Sequence, residues 1–300
     1  MDIAINFQHK DRLFRFIFGQ SRENALSLYN AVNRSSYTNA DDLEFTTLDD
    51  FLYMGMKNDV SFLFQAEMNL YEHQSTVNAN LPLRGLSYIT RQMEAYVKRN
   101  HLNVYRERLL KLPTPHYVVF YNGTKSQPEV KQLHLSDAFE KPDGCLELTA
   151  TVYNINVGHN SELLEACRPL HDYAVLIGKI RKYRSDGMDN ERAVDQAVKD
   201  CIRENILSDI LEKHAAEVLK MLFTEYNEAE VMNMFLEEGR EEGREEGREE
   251  GREEGRDESL ISSIKNLRDK MHLPVEQCMD ILDIPIEKRG NYRKQVAELS

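Results

Sequence analysis

Five identical tetrads with the sequence EEGR occupy residues 237–256 and divide this chain of 300 residues. Residues 237–258 contain no apolar side chain, so this segment cannot belong to a hydrophobic core. Eleven Glu, one Asp and five Arg give these residues a net charge of −7, about half of the −13 carried by the whole chain. Any folded core must therefore lie before the repeat or after it.

The repeat is compatible with two conformations. Each tetrad supplies a favourable Glu-to-Arg contact at i,i+3, but each Gly costs about 1 kcal/mol relative to Ala in a helix. As a helix, the repeat would span about 30 Å, whereas strong charge without apolar content equally favours partial disorder. We interpret the repeat as a solvated spacer; the alternative is a helix-pairing surface formed by its regularly spaced glycines.

Composition restricts the class of protein. Apolar residues make up 41% of the chain, which is enough for a core, and no apolar run approaches the length of a transmembrane helix. The first residues lack the charged-then-apolar pattern of a secretory leader, and the four cysteines are not spaced as zinc ligands. We therefore expect a cytoplasmic protein with reduced thiols and no membrane partner.

The remaining charge is unevenly distributed. Residues outside 237–258 carry a net charge of only −6, and basic side chains cluster in residues 91–111 and 179–184. For a protein that contacts phosphates, the location of charge matters more than its sum. The overall acidity is therefore only weak evidence against a nucleic-acid partner.

Hydrophobic periodicity predicts a mixed α/β core followed by helices. Apolar residues at helical spacing predict helices in the first 32 residues, after Pro82, and from Ser161 onward on both sides of the repeat. Alternating or short apolar runs predict strands at residues 59–64, 68–74, 116–123 and 146–156. The predicted domains are a core at 1–160, a helical region that packs on or extends it at 161–236, the repeat at 237–258 and a helical cap at 259–300.

The first two predicted strands, DVSFLF and MNLYEHQ, form a hairpin that brings three polar side chains together. Either of two tight turns around Ala66 places Asp59 on the same sheet face as Glu72 and Gln74. The side chain of His73 then points to the opposite face, where we expect it to be packed. A register slip of one residue would separate the three polar side chains, so the interpretation depends on the turn.

Two carboxylates on one face of a hairpin have a chemical purpose. Opposed or diagonal strand positions have Cβ atoms roughly 5–8 Å apart, which allows Asp59 and Glu72 to share one Mg²⁺. Such an ion polarises a phosphate and lowers the pKa of a bound water that attacks it. Without an ion, the two anions would repel each other. Solvated acidic residues at strand ends are the alternative interpretation of the same pattern.

Asp59, then twelve residues, then Glu72-His73-Gln74 is similar to the D…(D/E)xK motif of the PD-(D/E)XK nuclease superfamily. The segments KDRLFRFIFG, KNDVSFLF, LYEHQSTVNANLPLRGLSYI and VVFYNG resemble the recombination-promoting nuclease/transposase family within that superfamily. The resemblance covers roughly residues 8–235. It implies a restriction-endonuclease-like mixed sheet flanked by helices, and a metal-dependent endonuclease that acts on DNA in recombination or transposition.

By the family pattern, Asp59 and Glu72 are ligands of Mg²⁺ or Mn²⁺, and the backbone carbonyl of His73 is a third ligand. Gln74 stands where the wider superfamily has Lys, and a neutral amide orients a water only through hydrogen bonds. Gln also occurs at this position in the family, so it leaves the catalytic rate open and does not imply inactivity. Arg84 either grips the scissile phosphate of a DNA substrate or pairs with a local carboxylate.

The sequence therefore supports two classes of function. The first is a divalent-metal-dependent DNA endonuclease in which Asp59, Glu72 and Gln74 carry catalysis. The second is a nuclease fold of weak or no activity that acts through protein–protein contacts of its helical arm, as Gln74 and the acidic arm would allow. In either class, the arm or the amphipathic segment after the repeat would be the surface of a homodimer.

Overall fold

A computed structural model of the chain describes residues 12–46 and 59–298. The strands are β1 (Glu44–Phe45), β2 (Val60–Phe64), β3 (Glu67–Gln74), β4 (Thr114–Tyr121), β5 (Val130–His134) and β6 (Thr149–Asn154). The helices are α1 (Arg12–Gly19), α2 (Arg22–Asn33), α3 (Leu81–Arg99), α4 (Ser161–Ala166), α5 (Arg168–Ser185), α6 (Asn190–Arg203), α7 (Ser208–Met271), α8 (Val275–Ile281) and α9 (Ile286–Glu298). Two short 3-10 turns lie at Ala40–Asp42 and Leu135–Ala138.

The strands of the described residues form one open, mixed sheet in the order β1-β2-β3-β4-β6-β5. The pairs β1–β2, β2–β3 and β5–β6 are antiparallel, whereas β3–β4 and β4–β6 are parallel. The α/β class predicted from the sequence is therefore confirmed. Because β3, β4 and β6 run in the same direction, their carboxyl ends meet at one edge of the sheet, which is where open α/β sheets bind ligands.

A two-residue turn fixes the register of the β2–β3 hairpin. Gln65 and Ala66 both have positive φ, 51° and 61°, as in a type I′ turn, which matches the twist of the flanking strands. The strand pairing ends at Val60–Tyr71, and Asp59 and Glu72 are the next residues of their segments. The predicted hairpin is therefore confirmed, and its register places Asp59 on the side of Glu72. The paired residues are Val60–Tyr71, Ser61–Leu70, Phe62–Asn69, Leu63–Met68 and Phe64–Glu67.

The sheet separates two hydrophobic clusters. On one face, side chains of β2, β3 and β4 pack with α1, α2, α5 and α6 in the larger core. On the other face, α3 packs on β3, β4 and β6 in a smaller core that includes Leu70. Because alternate residues of a strand share a face, Glu72 and Gln74 lie on the α3 side. Gly85 permits the close approach of α3, since a Cβ there would lie 2.5 Å from the ring of Tyr117.

The helices that follow the sheet continue the larger core. α4, α5, α6 and the first part of α7 contribute buried side chains to it, as far as Leu222. By its contacts the chain divides into two compact units, Met1–Ala229 and Glu230–Ser300. Within the second unit, the end of α7 packs with α8 and α9 around a separate small core of Ile264, Cys278, Met279, Ile284, Tyr292 and Val296.

α7 contains the whole EEGR repeat, so the backbone of the repeat is helical. This is one of the two conformations that its composition allows. Non-helical dihedral angles occur inside α7 at His214 (φ −128°, ψ 24°), where two helical segments meet. In the described parts of the chain, no helix combines the length and the apolar content that crossing a membrane requires. Four glycines of the repeat have open space where a Cβ would be: Gly243, Gly247, Gly251 and Gly255.

Candidate active site

Asp59 and Glu72 face each other across the β2–β3 hairpin. Both are buried, with 8% and 3% of their surface exposed, and directly opposed strand positions have Cβ atoms roughly 4.5–5.5 Å apart. Oδ2 of Asp59 accepts a hydrogen bond of 2.8 Å from the backbone N–H of His73. The N–H and the C=O of a strand residue face the same neighbouring strand. The carbonyl oxygen of His73, the predicted third ligand, is therefore on the side of Asp59.

The carboxylate of Glu72 is held by three side chains. Its Oε1 accepts a hydrogen bond of 2.8 Å from Nε2 of Gln74 and a charged hydrogen bond from Nη2 of Arg84. Its Oε2 accepts a hydrogen bond from the hydroxyl of Tyr117. Arg84 and Glu72 form an ion pair in which the carboxylate side chain is 4% exposed. The buried negative charge is thus compensated by a cation from α3.

One face of α3 runs along the site. Arg84, Tyr88 and Gln92 are spaced four residues apart and so point in the same direction. Nη2 of Arg84 donates a 3.3 Å hydrogen bond to the hydroxyl of Tyr88. Nε2 of Gln92 donates a 2.8 Å hydrogen bond to Oγ of Ser61, two residues from Asp59. These contacts fasten α3 to both strands of the hairpin.

The two carboxylates change the pKa values of side chains on α3 and β4. Burial lowers the pKa of Arg84, but the negative charge of Glu72 raises it, and the net pKa is above its ordinary value. Burial raises the pKa of Tyr88, and the charges of Glu72 and Asp59 raise it further. Burial and the charge of Glu72 raise the pKa of Tyr117 well above its usual value. At neutral pH, Arg84 is therefore charged and both tyrosines keep their hydroxyl protons.

The side chain of His73 lies on the other face of the sheet, as predicted. It packs against Phe14, with ring centroids 5.7 Å apart. Its Nε2 is 3.1 Å from the hydroxyl of Tyr173 on α5, within the buried core. Only the backbone of His73 therefore belongs to the candidate site.

Tyr117 and Gly85 belong to the site but were not predicted to do so. Tyr117 lies on β4, 45 residues from Glu72 in sequence, and donates to its carboxylate. The sequence showed only that Tyr117 lies in the predicted strand HYVVFYNG. It did not show that this strand pairs with the strand that contains Glu72. Gly85 acts indirectly, because its missing side chain leaves room for the Tyr117 ring.

The donor set suits a small, hard cation. Asp59, Glu72 and the carbonyl of His73 supply oxygen atoms only, and Mg²⁺ is commonly held by one or two carboxylates together with waters. Among the described residues, no group of three or more His, Cys, Asp and Glu side chains could hold a metal ion. In its buried position Glu72 already binds one cation, the guanidinium of Arg84. The residues therefore fit partly hydrated Mg²⁺ or Mn²⁺, and they do not form a cage of side chains.

No protein-family model matches the chain, and no curated protein or solved structure gives a significant match. The chemistry of the site must therefore be argued from its own groups. These are two opposed carboxylates, a backbone carbonyl, an amide and a guanidinium at the end of a buried hairpin.

Proposed function

We propose that this chain is a divalent-metal-dependent DNA endonuclease whose sheet is of the restriction-endonuclease-like kind. The observation that carries the proposal is the β2–β3 hairpin, which sets Asp59 opposite Glu72 with the backbone of His73 beside them. The same residues form the motif that resembles the PD-(D/E)XK superfamily. The surrounding segments resemble its recombination-promoting nuclease/transposase family, and a role in DNA recombination or transposition rests on that resemblance.

In this proposal Asp59, Glu72 and the carbonyl of His73 hold Mg²⁺ or Mn²⁺. When bound, the ion supplies the Lewis acidity that polarises a phosphate and lowers the pKa of a water. The protein orients the ligands in advance: the N–H of His73 holds Oδ2 of Asp59, and Tyr117 holds Oε2 of Glu72. Ligands fixed before the substrate arrives need no reorganisation during the reaction.

Gln74 is the residue that would orient the attacking water. Its Nε2 donates to Oε1 of Glu72, which turns the amide towards the carboxylates. The amide oxygen accepts a hydrogen bond from a water but cannot remove its proton. The proton would therefore pass to a phosphate oxygen or to solvent.

Arg84 has one role in each state of the proposed cycle. In the structure its guanidinium pairs with Glu72, which is the local-carboxylate alternative that the sequence allowed. A divalent ion on Glu72 would take over that negative charge, and the guanidinium would then bind a phosphate of the DNA through its planar fork of donors. The side chain of Arg84 is 31% exposed, so it already reaches solvent.

Cleavage of supercoiled and linear DNA by site variants tests the proposal. The full chain is incubated with DNA and Mg²⁺, and a chelator provides the negative control. Asp59→Asn and Glu72→Gln should each lower the rate at least about a hundredfold, the scale for losing one electrostatic stabiliser. Glu94→Gln removes an exposed carboxylate from α3 and should cleave at the wild-type rate. Activity that survives both site substitutions would overturn the assignment.

One observation favours a second candidate, a nuclease-like fold that serves as a binding or assembly module. Glu72 already accepts hydrogen bonds from Gln74, Arg84 and Tyr117, which satisfy a carboxylate without any ion. Calorimetric titration with Mg²⁺ and Mn²⁺ separates the two candidates. Binding that disappears in Asp59→Asn and Glu72→Gln supports the endonuclease, whereas a wild type that binds neither ion supports the module.

A further inference from the structure

The connection between α3 and β4, residues 100–113, exposes apolar side chains; we call it the α3–β4 loop. The exposed fraction is 60% for Val104, 94% for Tyr105 and 78% for Leu109. A ring as open as that of Tyr105 adds nothing to the core. Apolar side chains that are grouped on a surface mark interaction sites.

The α3–β4 loop is also basic. Arg106, Arg108 and Lys111 are all exposed, and Glu107 is the only acidic residue in the loop sequence. None of the three cations forms an ion pair with another residue that the structure describes. A patch of positive charge is therefore left open in a chain whose net charge is −13.

Hydrogen bonds give part of the loop a defined shape. Oδ1 of Asn103 accepts a 2.9 Å hydrogen bond from the N–H of Tyr105, and its backbone carbonyl accepts one of 3.4 Å from Arg106. This Asn turn presents a ring and a guanidinium next to each other at the surface. Less conformational entropy is lost on binding when the contacting residues are held in advance.

We infer that the α3–β4 loop is a docking surface for DNA, in which Arg106, Arg108 and Lys111 bind backbone phosphates and Tyr105 stacks on a base. Unpaired cations are complementary to phosphates, and a base stacks on an aromatic ring whatever the sequence. A basic patch with an interleaved aromatic ring is the combination expected of a nucleic-acid surface. The inference rests on the proposed function and adds the position of the flanking DNA.

The loop and the candidate site lie at opposite ends of neighbouring strands. β4 begins at Thr114, which pairs with Glu67 at the start of β3. Glu72 lies five residues along β3 from Glu67, a distance of about 17 Å at about 3.3 Å per residue. The point where the loop joins the sheet is therefore about 17 Å from the candidate site, so the loop would contact flanking DNA and not the scissile phosphate.

Fluorescence anisotropy of the full chain with a chelator present measures binding without cleavage. The probes are a labelled DNA single strand and the matching duplex. Arg106→Gln with Arg108→Gln should weaken binding of both probes about tenfold and reduce the salt slope on duplex by about 2. Tyr105→Ala should weaken single-strand binding about tenfold and duplex binding less, because a paired base does not present its face to the ring.

A matched control separates the loop from general charge effects. Lys213→Gln with Lys220→Gln removes two exposed charges from α7 and should bind both probes as the wild type does. Loop variants that bind both probes as tightly as the wild type would overturn the inference and point to a protein partner. A wild type that binds neither probe would also overturn it.

The cleavage assay keeps this inference distinct from the proposed function. Asp59→Asn should bind both probes at least as tightly as the wild type, because it removes a negative charge, and should fail to cleave in Mg²⁺, whereas the loop variants should lose affinity. A wild type that binds through the loop but never cleaves would remove the proposed function and leave the inference standing. A wild type that cleaves DNA, together with loop variants that bind as tightly as the wild type, would overturn the inference and leave the proposed function standing.

Discussion

Arg84→Met would leave the buried carboxylate of Glu72 without its cationic partner. Breaking a fully buried ion pair costs about 3–5 kcal/mol, whereas an exposed pair contributes about 0.2–1 kcal/mol. The side chain of Glu72 is 4% exposed and that of Arg84 is 31% exposed, so solvent screens the pair only on one side. We therefore expect the free energy of unfolding to fall by about 2–3 kcal/mol.

Two further variants show whether the effect belongs to the pair. Adding Glu72→Gln to Arg84→Met removes the unpaired charge, so the double variant should be more stable than Arg84→Met alone. The matched control is Arg99→Met. It breaks the ion pair with Glu44, whose side chains are 45% and 56% exposed, and should cost less than about 1 kcal/mol.

Urea unfolding followed by tyrosine fluorescence is the assay, because the chain has no Trp and fourteen Tyr, of which only Tyr292 lies after residue 229. The signal therefore reports on the unit that contains the site. Mg²⁺ should restore stability to Arg84→Met, by about 2.7 kcal/mol at a hundred times its Kd, and should not do so once Glu72→Gln is added. If Arg84→Met lowers the free energy of unfolding by less than Arg99→Met does, the reasoning about the buried ion pair is wrong. Equal rescue of both Arg84→Met variants would refute Glu72 as a ligand.

Four further predictions concern Gly85, the cysteines and the repeat. Gly85→Ala should lower the free energy of unfolding by about 1–3 kcal/mol in the same fluorescence assay, because its Cβ would collide with the Tyr117 ring. In a thiol titration, exposed Cys145 should react in the native protein and the buried cysteines only after unfolding. Burial raises the pKa of Cys167 from 9.0 to about 11, so the folded state holds this proton more tightly. Its stabilising contribution is therefore complete below pH 9 and is lost as the pH rises to about 11, which urea unfolding at alkaline pH checks. Alanine at four glycines of the repeat should stabilise α7 by up to about 1 kcal/mol per site, which thermal unfolding followed by circular dichroism measures, and should leave the mass in solution unchanged if the repeat is a spacer. Those glycines are Gly243, Gly247, Gly251 and Gly255.

The shared face of Asp59 and Glu72 was predictable because both allowed turns preserve it. The choice of turn was not, since Gln65 and Ala66 adopt positive φ without being Gly or Asn, the residues that usually signal such a turn. The alternation of apolar and polar residues predicts which side chains share a face, but which two residues form the turn depends on how the strands pair.

Contacts between distant segments were beyond the sequence pattern. The sequence left two alternatives for Arg84, and pairing with a carboxylate was one of them. Its partner, Glu72, follows only from the packing of α3 on the sheet. The edge strand β5 was not predicted. Its first three residues, Val130, Lys131 and Gln132, are exposed, so its sequence lacks the alternation of apolar and polar residues that indicates a strand. The strand predicted at 146–156 is shorter in the structure, where β6 covers Thr149–Asn154. Strand limits depend on neighbouring strands, which a single segment does not specify.

The ion pair between Arg84 and Glu72 has a consequence for when the protein can fold. In a site of bare carboxylates, repulsion must be relieved by a proton or by a metal ion before the strands are stable. Here the chain carries its own counter-ion on α3, so the hairpin can form without any supply of divalent cations. A metal ion at this site would then bind reversibly and compete with the guanidinium for the carboxylate of Glu72. The concentration of the metal ion would affect activity, and the stability of the fold would not depend on it.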